Sequence, residues 1–237
     1  MYTKDSLVGY INNCIAVGKI VAKNDIPEIL HNISDIDIKN KLATSLEDTV
    51  RMDDFFVKVV NNMTVLVYCY PSHEEVDLGE CIDIIGEYAF YNNSLINRIS
   101  GEGVRLIGQS AFSNSTVCRV KFQNLLQLGQ YIFFQCCYLE EAEFPAVHDV
   151  GFACFDNCRK LKDVIMSPES IEANAFANCS QLTDFDFSNA VAIGGHAFYD
   201  APLNDIIAPK LLFVGRFAFN KCHFRNVYTP RILTDLV

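Results

Sequence analysis

The chain contains residue types that could do chemistry, but they are not spaced as an active site requires. None of the five histidines, at positions 31, 73, 148, 196 and 223, belongs to a His-Glu-x-x-His motif or to another zinc-binding spacing. The sequence also lacks a Gly-x-Ser-x-Gly nucleophile turn, a Gly-x-x-x-x-Gly-Lys-Ser/Thr phosphate loop and a Gly-x-Gly-x-x-Gly dinucleotide fingerprint. We therefore expect no catalytic residues, no metal and no cofactor, and we predict that the protein is not an enzyme.

Charge and composition limit the class of partner and the compartment. With 19 basic and 29 acidic residues, the chain carries a formal charge of −10, which repels phosphate backbones and anionic lipid headgroups. Nucleic acid is therefore not expected as a partner, and no apolar run approaches the ~18 residues that span a bilayer. Residues 1–18 do not resemble a secretory leader, and we interpret the ten cysteines as free thiols, so we predict a cytoplasmic protein. The alternative is a cell-surface location reached by a non-classical route, where glycosylation of Asn62 or Asn114 would matter.

One phenylalanine recurs through most of the chain at intervals of 21 or 22 residues. It stands at Phe90, Phe112, Phe133, Phe155, Phe176, Phe198 and Phe219. The copies share the pattern Ile-Gly-x-x-Ala-Phe with few replacements, and each has a small residue three positions after the phenylalanine. Each then continues into an alternating stretch such as Leu182–Phe187, which predicts a short strand. Because one such unit cannot cover its own apolar side, we expect stacked coils, a parallel sheet and a core column of phenylalanines.

These seven copies resemble the BspA-like leucine-rich repeat family, whose pattern is Ile-Gly-x-x-Ala-Phe, then a Cys, then spaced aliphatic strand positions. The resemblance covers roughly residues 75–230, and residues 175–182, Ala-Phe-Ala-Asn-Cys-Ser-Gln-Leu, match it closely. It implies a leucine-rich-repeat solenoid, a right-handed coil with a parallel β-sheet on its concave face, and a role in adhesion, at surfaces or in interactions. Ile132 replaces the Ala of the third copy and Glu172 the Gly of the fifth, which questions the local turn geometry but not the fold.

The repeat offers a structural explanation for residues that would otherwise suggest chemistry. The glycines at positions 86, 108, 129, 151, 194 and 215 recur once per copy, and we assign them to the turn that each coil requires. Cys136, Cys158 and Cys179 occupy one position in consecutive copies. Stacked positions form a line rather than the tetrahedron that zinc prefers, so we predict buried thiols.

Residues 1–74 are predicted to form an α+β cap at the start of the solenoid. Leu7, Ile11 and Ile15 are spaced as on one helix face, as are Ile38, Leu42 and Leu46, and Asn24 or Asp25 could cap a short helix near Pro27. The runs 55–60 and 63–70 predict a hairpin that turns at Asn61-Asn62. Whether the helices are only a cap or a separate docking module stays open.

The solenoid is predicted to span residues 75–230, with an incomplete first rung at Val76–Leu78. It is followed by a short tail, residues 231–237. The last strand, Asn226–Thr229, is thinly covered, so we expect either that the tail folds over it or that it pairs with another chain in a homo-oligomer.

Counting from each phenylalanine places the outward strand residues in two columns on the concave face. The first column contains Arg98, Arg119, Glu141, Asp163, Asp184, Asp205 and Asn226. The second contains Ser100, Lys121, Glu143, Ile165, Asp186, Ile207 and Tyr228. Carboxylates in consecutive rungs repel one another and gain by meeting a cationic partner. We therefore predict that the middle of this face, from Glu141 to Asp205, docks a basic protein segment. The alternative is a solvated face that keeps the sheet soluble.

From these columns, the residues predicted to contact a partner are Arg98, Arg119, Glu141, Glu143, Asp163, Asp184, Asp186, Asp205 and Tyr228. The function predicted is that of a non-enzymatic interaction or scaffold protein that binds a protein partner through the concave sheet. Two alternatives stay open: a cell-surface adhesin of the BspA-like type, and a structural component that self-assembles through its C-terminal end.

Overall fold

The computed structural model describes residues 3–17, 19–22, 25–31, 33–47, 49–52 and 55–229. It begins with three helices, α1 (Lys4–Ala16), α2 (Ile26–Ile29) and α3 (Ile36–Leu46). Asp35 caps α3 by accepting hydrogen bonds from the backbone nitrogens of the residues at the second and third helical positions. Asp25 precedes α2 but makes no capping bond with its side chain, and Asn24, the other cap considered, lies outside the described residues.

The apolar face of α1 differs by one residue from the prediction. Leu7 and Ile11 are buried as expected, but Cys14 is the third buried residue and Ile15 is 38% exposed. The reason is helix geometry, because seven residues after Leu7 bring the chain back to the same face and eight rotate it away. These buried residues belong to the same apolar cluster as the cores of the repeats.

An antiparallel hairpin connects the helices to the repeats. Its two strands are Phe55–Val60 and Met63–Cys69, and a third strand, Val50–Met52, pairs with the first of them. Asn61 and Asn62, in the turn of the hairpin, have φ values of 50° and 62°. Both therefore lie in the left-handed region that the predicted tight turn requires. The strand Met63–Cys69 pairs in parallel with Ile84–Ile85 of the first coil, so the hairpin extends a sheet of the solenoid.

Most coils contribute strands to two sets of parallel strands on opposite sides of the core. The concave sheet contains Glu75–Asp77, Arg98–Ser100, Arg119–Lys121, Glu141–Glu143 and Asp163–Ile165, and the separate pair Asp205–Ile207 and Asn226–Tyr228. The outer sheet contains Ile84–Ile85, Leu106–Ile107, Gln127–Leu128, Asp149–Val150, Ser170–Ile171, Ala192–Ile193 and Phe213–Val214. This architecture confirms the predicted leucine-rich-repeat solenoid.

The recurring phenylalanines form a continuous stack between the two sheets. Neighbouring ring centroids, from Phe90 to Phe219, lie 4.8 to 5.6 Å apart with planes inclined by 7° to 16°. The rings are buried, so each contributes roughly 1.5–3 kcal/mol through removal of its surface from water. The predicted core column is confirmed.

The repeat glycines begin the turns to which they were assigned, but they are not the left-handed residues of those turns. The carbonyl oxygen of Gly194, for example, accepts a hydrogen bond from the Ala197 nitrogen three residues later over 3.3 Å. The left-handed residues of each coil are other residues, in two columns that include Tyr88 and Asn92 in the first coil and Asn174 and Asn178 in the fifth. A Cβ on Gly194 would instead lie 2.4 Å from the backbone nitrogen of Ala173, so glycine here allows neighbouring coils to approach closely. Asparagine tolerates the left-handed region better than most residues, which explains its recurrence two positions after the phenylalanine.

The cysteine column joins successive coils by hydrogen bonds. Cys136, Cys158 and Cys179 are buried, and their thiols donate to the carbonyl oxygens of the anchor phenylalanines of the preceding coils over 2.9, 3.1 and 3.2 Å. Burial raises the pKa of the Cys136 thiol to about 12 and that of Cys158 well above its ordinary value. These thiols are therefore protonated structural groups.

The concave sheet is interrupted at residues 182–187, where the alternating pattern predicted a strand. Among the described residues, no backbone hydrogen bond joins positions 184–187 to either neighbouring coil. Phe185 occupies the central inward position that holds Val164 and Ile206 in the flanking rungs, and its ring packs 5.0 and 5.1 Å from those of Phe176 and Phe198. We attribute the break to this ring, which is too large for the space that a Val or Ile fills.

The outer sheet has its own interruption, between Leu106–Ile107 and Gln127–Leu128. It falls at the copy in which Ile132 replaces the usual Ala, and a Cβ on Gly129 would find its nearest neighbours at 3.9 Å. Glu172, the other departure, leaves the sheet intact, since its backbone nitrogen still donates to the Val150 oxygen over 2.8 Å. As expected, both departures are local and the fold continues through them.

A buried carboxylate ties α1 and the hairpin to the first coil. Asp83 is 3% exposed and accepts hydrogen bonds from the Lys4 ammonium, and from the Thr64 backbone nitrogen and hydroxyl at 2.8 and 3.0 Å. Burial alone would raise the pKa of Asp83, but the bonds from Lys4 and Thr64 lower it below its ordinary value. The ionised form is therefore the one that the fold stabilises.

Removal of one ring from the stack should destabilise the protein far more than removal of an exposed ring. We expect Phe176→Ala, inside the stack, to lower the free energy of unfolding by about 3–5 kcal/mol, because it leaves a cavity between two coils. The matched control is Phe213→Ala at a ring that is 59% exposed, with an expected change of about 1 kcal/mol or less. Urea unfolding measures both, and equal losses would contradict the role given to the stack.

Asp83 should make stability depend on pH in a defined direction. Because folding lowers its pKa, the ionised carboxyl stabilises the protein at neutral pH, and this contribution is lost as the pH falls below about 5. Asp83→Asn should cost about 1–3 kcal/mol at pH 7, and the difference from wild type should shrink in acid. Urea unfolding across this range, with exposed Glu102→Gln as control, checks it. A difference that does not change with pH would refute the assignment.

Candidate functional site

The concave sheet forms the floor of an open groove with a volume of about 1190 Å³. Of the nine residues predicted to contact a partner, eight line this groove. They are Arg98, Arg119, Glu141, Glu143, Asp163, Asp184, Asp186 and Asp205. Tyr228 does not line it, but it lies on the last strand beside Ile207 and is 63% exposed. Its concave shape and its lining by eight of the nine predicted residues make the groove the candidate binding site.

Strand pairing brings the members of each column together. Arg98 pairs with Arg119, Arg119 with Glu141 and Glu141 with Asp163. At the other end, Asp205 pairs with Asn226. Side chains in one column therefore repeat once per coil, because the strands are parallel and remain in register.

In the N-terminal half of the groove, basic and acidic side chains of neighbouring strands neutralise one another's charge. The Arg119 Nε lies 2.8 Å from a Glu141 carboxylate oxygen, and the Lys121 Nζ lies 3.0 Å from a Glu143 oxygen. Burial opposes ionisation of Glu143, but hydrogen bonds from Lys121 and Gln123 lower its pKa. Two of the predicted acidic residues thus already have cationic partners within the chain. Because these pairs are exposed to water, they contribute little to stability.

The C-terminal half of the groove keeps its negative charge. Asp163 has Lys162 at 3.9 Å, whereas no ion pair to a described Lys or Arg is found for Asp184, Asp186 or Asp205. These three accept hydrogen bonds from neutral groups instead, such as the Thr183 hydroxyl and the Asn226 amide. Partial burial would raise the pKa of Asp186, but bonds from the Ser188 backbone and from serine hydroxyls lower it. The ionised form of Asp186 is therefore favoured.

Apolar side chains stand among these carboxylates. Ile165 and Ile207 are each 58% exposed and both line the groove, together with part of Phe185. We call Asp163, Ile165, Asp184, Asp186, Asp205 and Ile207 the acidic–apolar patch. The second predicted column already contained these two isoleucines, but they were not among the residues predicted to contact a partner, because that prediction rested mainly on charge. An isoleucine at an outward position of an alternating strand is the sequence signal that could have identified them.

No group of three or more His, Cys, Asp or Glu side chains in the part of the chain that the structure describes could hold a metal ion. Burial, with a further contribution from Glu140, raises the pKa of the Cys118 thiol, which makes it a poorer nucleophile. None of the described helices has the length and apolar character that a membrane crossing needs.

Two stacked parallel sheets, a continuous core and a groove on one sheet define the class of protein as a leucine-rich-repeat solenoid. A family model for the BspA type leucine-rich repeat region matches residues 63–169 and 106–226, in six copies. The chain belongs to the BspA-type leucine-rich repeat family. Proteins with leucine-rich repeats generally act in protein interactions or at surfaces, and they are generally not enzymes.

Solved structures share the fold at low sequence identity. A leucine-rich cell surface protein from Faecalibacterium prausnitzii is 17% identical with a TM-score of 0.64, over 76% of this chain and 54% of the other. A leucine-rich repeat protein from Bacteroides ovatus is 18% identical with a TM-score of 0.51, over 72% and 57%. This chain thus spans about half the length of these neighbours. No curated protein sequence matches it significantly.

Proposed function

We propose that the protein is a non-enzymatic interaction protein that binds a protein partner through the concave groove, with the acidic–apolar patch as the principal contact. The observation that carries this proposal is the unequal distribution of charge: the early rungs neutralise one another, and the carboxylates of the later rungs do not. A partner segment with basic residues would neutralise them. This supports the predicted basic segment and narrows its contact to Asp163, Asp184, Asp186 and Asp205.

Physical chemistry favours a partner that covers both charge and apolar surface. Removal of Ile165 and Ile207 from water contributes about 25 cal/mol per Å² of buried apolar area. Cations placed opposite the aspartates increase the rate of association and select against acidic competitors. A solvated face that only keeps the sheet soluble would not need the two exposed isoleucines. We therefore prefer a binding function to that alternative.

A surface adhesin is the second candidate function. It is favoured by one observation, that a structural neighbour is a cell surface protein. The same groove would then bind a host or matrix protein. A cytoplasmic location remains a prediction from the cysteine content, and ten thiols without a disulfide among the described residues are compatible with it.

Self-assembly through the C-terminal end is the third candidate. The last coil exposes Phe213, Phe217 and Val227 by 59%, 52% and 53%, and the strand Asn226–Tyr228 has a free edge on one side in the described residues. The predicted tail, residues 231–237, lies outside the described residues.

Reversal of charge in the patch should abolish capture of the partner. We expect wild-type protein, immobilised and exposed to native cell extract, to retain at least one protein that Asp163→Lys/Asp184→Lys no longer retains. The matched control is Glu169→Lys/Glu172→Lys, which changes the net charge equally at exposed residues beyond the groove. Quantitative mass spectrometry compares the three baits, and circular dichroism checks that each is folded. Identical protein sets on wild type and the groove variant would discard the proposed face.

A further inference from the structure

We infer that the segment received by the acidic–apolar patch is an amphipathic α-helix that lies along the solenoid axis and carries a basic stripe beside an apolar one. This rests on the proposed function and specifies the partner's conformation and side-chain pattern. It follows from the spacing of the coils, the alternation of the two columns and the exposed apolar surface.

Coil spacing in this half of the solenoid matches the pitch of a helix. The ring centroids of Phe155, Phe176, Phe198 and Phe219 follow one another at 4.9, 5.1 and 5.6 Å. A helix places one residue of a given face every 5.4 Å, whereas an extended strand places one every ~6.6–6.8 Å. A helix parallel to the axis therefore keeps one side chain opposite each coil, and a strand loses register by more than 1 Å at every coil.

The two columns specify the face of that helix. Asp163, Asp184 and Asp205 occur once per coil, so cations at i, i+3 or i+4, and i+7 meet them in turn. In the second column Ile165 and Ile207 stand two coils apart, with Asp186 between them. Residues i and i+7 of a helix are ~10.5 Å apart, which suits two apolar side chains placed on the two isoleucines.

The width of the patch also suits one helix. Residues of the two columns are two positions apart on each strand, which corresponds to ~6.6–6.8 Å. A helix with its side chains is ~10–12 Å across and can contact both columns at once. Because the backbone at positions 184–187 makes no ladder bonds, this stretch can adjust to the seated helix more readily than a paired strand can.

Two peptide probes of identical composition test the geometry. The first, of about 18 residues on an Ala-rich background, has Lys and Leu at helical periodicity on one face, and the second has the same residues alternating at a period of two. Fluorescence anisotropy at low salt should show that the helical probe binds wild type at least about tenfold more tightly than the alternating probe, which equals about 1.4 kcal/mol. Circular dichroism of the bound helical probe should show a gain in helix.

Variants identify the surface that the probe uses. Asp163→Lys/Asp184→Lys and Ile165→Ser/Ile207→Ser should each weaken binding of the helical probe about tenfold or more. Glu169→Lys/Glu172→Lys should change it less than about twofold, although it alters net charge as much as the first variant does. Equal affinities for the two probes, or equal losses in the groove and control variants, would overturn the inference. If the groove still governs capture from extract in that case, the helix geometry is wrong and the proposed binding face stands.

Discussion

The stack of buried phenylalanines is the interaction on which the rest of the structure depends. One coil of 21 or 22 residues cannot shield its own apolar side, so it is stable only against its neighbours. The stack continues at 5.1 Å from Phe112 to Phe133, across the break in the outer sheet. It also continues from Phe176 to Phe198 across the break in the concave sheet. The core stack is therefore continuous where either sheet is interrupted. It is accompanied there by backbone hydrogen bonds from the anchor phenylalanines to the next coil, from Phe112 to the Ile132 oxygen over 2.9 Å and from Phe176 to the Ala197 oxygen over 2.7 Å.

Strict periodicity explains how much of the fold could be predicted from the sequence. The anchor residues recur at almost constant intervals, so the parallel concave sheet and the neighbours within each column could be predicted from intervals alone. The outer sheet was not predicted, because its two-residue strands show no alternation. The repeat glycines begin turns as predicted, but spacing alone did not show that they also allow the close approach of neighbouring coils. The break at Phe185 also escaped prediction, since an aromatic residue fits an alternating pattern as well as a valine does.

The candidate site was only half predictable, for a related reason. Column membership follows from the register, and eight of the nine predicted residues line the groove. Which charges remain available depends on side-chain conformations across neighbouring rungs, as in the Arg119–Glu141 and Lys121–Glu143 pairs. The result is a groove with two different halves. In the N-terminal half, ion pairs within the chain neutralise the charges. In the C-terminal half, the acidic–apolar patch presents both negative charge and exposed apolar surface to a partner.

The central claim is that the core stack continues through the coil whose groove segment, residues 184–187, has no backbone pairing with its neighbours. Amide hydrogen exchange tests this claim most directly. We predict that the amides of Asp184, Phe185 and Asp186 exchange about a hundredfold or more faster than those of Glu141–Glu143, although both stretches lie on the same groove. The backbone nitrogen of Phe176, which donates to the Ala197 oxygen over 2.7 Å, should be as protected as the paired strand. Equal protection of the two groove stretches would contradict the account.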